Sequence, residues 1–129
     1  MKTTLLTAGL AAMLAIAAPA QASDWQDIKD PAELRALYSN KTMRGKDWMD
    51  RPFVGHYRAD GQGLLVFGGD RYARTWAVKG DDQVCVSTAV RTRCYRFQRH
   101  ASKPGVYRII DTGDDRPTTV TVEEGIPNF

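Results

Sequence analysis

The chain has 129 residues, with 18 basic side chains against 15 acidic ones and a net charge of +3. That length suffices for one domain with one modest core. So weak a positive balance, with no concentrated basic stripe, gives no warrant for a nucleic-acid binder.

Lys2 precedes an apolar run, Leu5 through Ala18, broken only by Thr7 and Gly9. The run closes on Ala20-Gln21-Ala22, the small-x-small pattern that signal peptidase cuts. It is too short to span a bilayer comfortably, and Ser23-Asp24-Trp25-Gln26-Asp27 follows at once. Residues 1–22 therefore read as a cleaved signal peptide and residues 23–129 as one domain. No Cys in the leader means no lipid anchor, and no later run reaches spanning length. The mature protein is expected to be soluble and secreted, periplasmic in a Gram-negative cell. Loss of Lys2 leaves 17 bases against 15 acids.

Asp30-Pro31-Ala32-Glu33 begins the one credible helix. It has an acidic N-cap, Pro at the first helical position and Glu at the third, a capping-box arrangement. Leu34, Leu37 and Tyr38 then fall on one face, and Ser39-Asn40 ends it. Two turns are unstable alone in water. The leucines must therefore pack on something, most simply across one end of a sheet.

After Asn40 the pattern alternates with period two. Strands are expected near Thr42–Gly45, Phe53–Arg58, Gly63–Phe67, Tyr72–Val78, Gln83–Ser87, Thr92–Gln98, Val106–Asp111 and Thr118–Glu123. Asp60-Gly61, Gly69-Asp70, Gly80-Asp81 and Gly113-Asp114 supply the positive φ that tight turns need. Eight short strands with short turns leave no room for crossover helices. The fold class is mainly β: an eight-stranded antiparallel meander barrel, lipocalin-like in plan, with one short N-terminal helix. A two-sheet sandwich is the other option, since strand count does not decide closure. Cys85 and Cys94 fall on adjacent strands. In an oxidising compartment they are expected to form a cross-strand disulfide that pins the register.

Gly-x-Ser-x-Gly, His-Glu-x-x-His, the phosphate loop and the EF-hand spacing are all missing. Glu123-Glu124, Asp81-Asp82 and Asp114-Asp115 lie at turns or a strand end, and strand neighbours point to opposite faces. No catalytic residue, metal ligand or cofactor is assigned. His56 would need Met43, Met49 or Tyr57 from elsewhere to hold a metal or haem. A hydrogen-bonded strand histidine is the simpler reading.

The expected strand Tyr72–Val78 carries the most distinctive pattern. Tyr72, Arg74 and Trp76 share one face; Arg71, Ala73, Thr75 and Ala77 share the other. If the aromatics point inward, Arg74 goes with them and needs an anionic partner, from the protein or a ligand. If the small residues point inward, Tyr72 and Trp76 form an outer patch. The long connection Lys46–Pro52 holds Trp48 and Met49, with Trp48 either plugging an open end or serving as a lid. Trp48, Tyr72, Arg74 and Trp76 are the candidate ligand-binding residues. Arg91, Arg93, Arg96, Arg99 and His100 interleave with Tyr95 and Phe97. Asp111, Asp114 and Asp115 stand ready to neutralise them.

Leu37–Thr42, Tyr57-Arg58-Ala59-Asp60-Gly61, Thr75–Cys85 and Cys94-Tyr95-Arg96-Phe97 together resemble a family of small secreted proteobacterial proteins of unknown function, over residues 34–100. The Trp…Cys…Cys-Tyr order is its most specific part. The resemblance implies export and a disulfide, and brings no catalytic residues. The architecture is also similar to small periplasmic inhibitor barrels. The expected function is a non-catalytic, monomeric binding module for a small molecule or envelope component. The alternative is a periplasmic inhibitor of an envelope-directed enzyme, a lysozyme or a protease.

Overall fold

The computed structural model describes Gly9 and residues 23–129. The expected leader, residues 1–22, lies outside the described residues, Gly9 apart. The elements are β1 (Trp25–Asp27), α1 (Pro31–Tyr38), β2 (Lys41–Lys46), β3 (Pro52–Tyr57), β4 (Gln62–Phe67), β5 (Asp70–Lys79), β6 (Gln83–Ser87), β7 (Thr92–His100), β8 (Val106–Asp111) and β9 (Pro117–Glu124). All eight expected strands form, within two residues of the expected ends. Strands β2 to β9 pair antiparallel in chain order, and β9 closes on β2. This is a closed barrel, not a sandwich.

A ninth strand, β1, is an addition to the expected set. It pairs with His100 to Gln98 of β7, on the edge that β6 occupies only over Thr92–Tyr95. Its residues Trp-Gln-Asp carry no alternating apolar signal. It is held by backbone pairing and by its neighbour Ile28, which is buried and donates its amide to the Phe97 carbonyl.

Register decides which side chains face inward. Met43 lies opposite Gly55, Gly55 opposite Leu65, and Leu65 opposite Tyr72. Alternation along each strand carries the same face through Tyr57, Arg74, Trp76, Val84, Phe97 and Val120. Cys85 and Cys94 sit directly opposite each other on the outer face and are disulfide-bonded, as expected.

Helix α1 closes one end of the barrel. Asp30 caps it by accepting the Ala32 amide, and Pro31 opens it. The capping box is not completed: the Glu33 carboxylate pairs with Arg99 of β7 instead. An inward guanidinium at that position competes with the Asp30 amide for the acid and fastens the helix to the wall. Leu34, Leu37 and Tyr38 are buried. The Tyr38 ring stands 4.5 Å from Tyr57, 5.2 Å from Trp76 and 5.7 Å from Phe97. Gly55 and Gly63 make room for Tyr57. A Cβ at either would lie within 3 Å of its ring.

Candidate functional site

The opposite end carries the loops after β2, β4, β6 and β8. Inward-facing Tyr57, Trp76, Val84 and Phe97 near α1 are buried, whereas Phe53, Phe67, Tyr95, Asp111 and Thr118 toward this end are half-buried. Trp48, Met49, Tyr72 and Val90 also belong to this end. They are four of the five exposed large apolar side chains among the described residues.

Tyr72, Arg74 and Trp76 do share the inner face of β5. Trp76 lies in the cluster under α1, and its indole N–H donates to the Arg58 carbonyl at 2.8 Å. Tyr72 stands at the open end, 44% exposed, with its hydroxyl near Asp70. Arg74 is carried inward between them. Its Nη1 donates to the Tyr57 hydroxyl at 3.4 Å, and its buried Nε has no protein partner. No carboxylate pairs with it among the described residues.

The surrounding phenols do not act as counter-ions. Burial pushes the Tyr57 and Tyr95 hydroxyls above the ordinary phenol range, and the Arg74 charge offsets this only in part. Tyr38 is raised further, by burial first and then by Tyr57 and Tyr95. All three stay neutral at physiological pH. The inward acid opposite Tyr95, Asp111, is engaged by Arg93 at 2.9 Å. Arg74 is thus a half-buried cation among neutral hydroxyls, which a small anion would complete.

Trp48 lies elsewhere. It lines a hollow of about 640 Å³ where β2, β3 and β9 meet, and none of Tyr72, Arg74 and Trp76 borders that hollow. The 47–51 loop is tightly held. Asp47 accepts the amides of Met49 and Arg51 and the Arg51 guanidinium. Burial works against ionisation of Asp47, but these bonds, the Arg51 amide foremost, hold its carboxyl below the ordinary range. The Arg116 guanidinium sits over the Trp48 ring, 5.7 Å from its centroid.

The remaining candidates are structural. Arg93, Arg96 and Arg99 pair with Asp111, Asp115 and Glu33. Register places Arg93 and Arg99 on the inner face with Tyr95 and Phe97. Asp114 instead accepts the Arg116 amide. His100 accepts the Ser102 and Lys103 amides and meets the Trp25 ring edge-on. His56 faces outward. Thr42 Oγ1 donates to the Gly125 carbonyl, so it accepts from His56 Nδ1 at 2.9 Å. Burial, then Arg44 and Arg71, lowers the His56 pKa. Among the described residues no cluster of three His, Cys, Asp or Glu could hold a metal. Arg116 escaped the sequence reading because its signal is an absence: it is a turn arginine among acids that pairs with none of them.

Fold and site together define a class: a small, disulfide-stapled, closed eight-stranded antiparallel β-barrel with a cationic interior. The chain matches no family model, no curated protein and no solved structure.

Proposed function

We propose that the protein is a non-catalytic, lipocalin-like binding module that holds a small anionic ligand at Arg74. It acts as a monomer in the periplasm or outside the cell, after removal of residues 1–22. The observation that carries this reading is the Arg74 guanidinium, held inside the barrel beside Tyr57 with no carboxylate partner among the described residues. A planar or carboxylate ligand would enter at the open end past Tyr72, with Tyr57 and Tyr95 as hydroxyl partners. Export is supported by the leader pattern and by the formed disulfide. The family resemblance points the same way.

The test is a thermal-shift screen of the mature chain against aromatic carboxylates, fatty acids and inorganic phosphate. Binding to the native state alone raises the melting temperature by mass action. At least one anion should raise it in the parent, and Arg74→Met should abolish that shift. No shift in the parent, or an equal shift in the variant, would overturn the reading.

A second reading, an inhibitor of an envelope-directed lysozyme or protease, is favoured by one observation. The braced 47–51 loop presents Trp48 at 71% and Met49 at 53% exposure. It requires that Trp48→Ala abolish inhibition in a lysozyme or protease assay.

A further inference from the structure

The hollow beside Trp48 exists because two strands part company. Strand β2 pairs with β9 only from Lys41↔Glu124 to Gly45↔Val120. Continued register would set Lys46, Asp47 and Trp48 opposite Thr119, Thr118 and Pro117. Instead the chain turns away at Asp47, which bonds to Arg51, and no backbone hydrogen bond joins Asp47 or Trp48 to Thr118 or Pro117. Thr118 directs its backbone groups to β8, while the Pro117 carbonyl and the Thr119 amide face the side that β2 leaves. The vacated stretch is about 10 Å long, three strand residues. A strand edge left in this way directs unpaired amide and carbonyl groups at whatever lies beside it.

The walls of this gap match a peptide. Trp48 and Phe53 supply apolar surface, and Gly45 lets the Phe53 ring fold over the last β2–β9 pair. Arg116, next to the unpaired edge, is held over Trp48 and has no carboxylate partner among the described residues. The volume of about 640 Å³ falls within the range of ligand sites.

We propose that this cleft docks an extended peptide of a partner protein, which adds a short strand to β9 in the place β2 vacates. Its backbone bonds to the Pro117 carbonyl and the Thr119 amide, an apolar side chain lies on Trp48, and a carboxylate meets Arg116. Backbone bonding supplies the affinity and the two side-chain contacts supply the selectivity. Arg116 suits the carboxylate because its planar fork binds both oxygens while its face stacks on the indole. The site is independent of Arg74.

The test uses the mature chain labelled with ¹⁵N and a pool of heptapeptides with free C-terminal carboxylates and randomised alternate apolar positions. The amide of Thr119 and the Trp48 indole should shift. Peptides recovered from the pool should weaken about tenfold on C-terminal amidation. Arg116→Gln should make free and amidated forms bind alike, and alternate backbone N-methylation should abolish binding. Trp48→Ala should weaken both forms about tenfold; a far-ultraviolet spectrum like the parent's shows that either variant is folded. No shift at millimolar peptide, shifts confined to Tyr72 and Arg74, or indifference to N-methylation would each overturn the proposal.

Discussion

Arg74→Met separates an arginine kept for stability from one kept for a ligand. In the parent, the buried Nε lacks a partner, an omission that costs about 1–3 kcal/mol for a buried polar group. Arg74 is only half-buried, so the lower part of that range applies. Against this stands one hydrogen bond to Tyr57 at 3.4 Å. At that length it is worth no more than about 0.5 kcal/mol. Methionine keeps most of the aliphatic packing and removes the charge. Replacing buried ionic groups by apolar ones of similar volume is often neutral or stabilising. The variant should therefore gain about 0.5–1.5 kcal/mol without ligand. For a domain of this size that is roughly 2–10 °C in melting temperature. Calorimetry and guanidinium unfolding measure it. The same variant should raise the Tyr57 and Tyr95 phenol pKa values, because Arg74 lowers both, and phenolate absorbance reads this directly. A loss above about 2 kcal/mol would show that Arg74 has a structural counter-ion and would refute the reasoning.

Three further outcomes follow from the packing. Leu34→Ala should cost about 2–5 kcal/mol by chemical denaturation, since Leu34 is fully buried in the helix plug. Gly55→Ala should cost about 1–3 kcal/mol, because its Cβ would stand 2.7 Å from the Tyr57 ring; Gly55→Ala with Tyr57→Leu should recover much of this. His56 titrates below its ordinary 6.5 in the folded state, through burial, Arg44 and Arg71. Its neutral form therefore supports stability above pH 6.5, and that support is lost as pH falls below 6.5 through the lower folded value. Unfolding curves from pH 8 to 5 should show a fall that His56→Gln removes.

The barrel strands were legible because half-buried antiparallel strands alternate, and Gly-Asp turns punctuate them. The helix was legible through Asp30, Pro31 and its leucine spacing. Strand β1 was not, since its pairing with β7 rests on backbone groups that any sequence carries. Closure was not legible either: it depends on β9 meeting β2 across some 75 residues of chain. The inward face of β5 followed only from register, which tied Arg74 to Gly63 and Leu65 to Tyr72. Trp48 and Tyr72 belong to the same end of the barrel, yet the hollow lined by Trp48 does not include Tyr72. No one-dimensional pattern encodes where a braced loop points.

The two ends of the barrel divide the labour. At the helix end, Tyr38, Tyr57, Trp76 and Phe97 fill the interior, and Glu33–Arg99 ties the plug to the wall. The opposite end is less economical. It keeps Trp48 and Tyr72 in water, leaves Arg74 and Arg116 without a carboxylate among the described residues, and ends the β2–β9 pairing three residues short of β9's start. Each of these departs from what packing alone would favour. A barrel selected only for stability would replace Arg74 by an apolar residue, extend β2 and shorten the 47–51 loop. The helix end carries one such breach, the unpartnered Nε of Arg99, and the rest gather toward the other end; that clustering is the physical pattern of a binding surface.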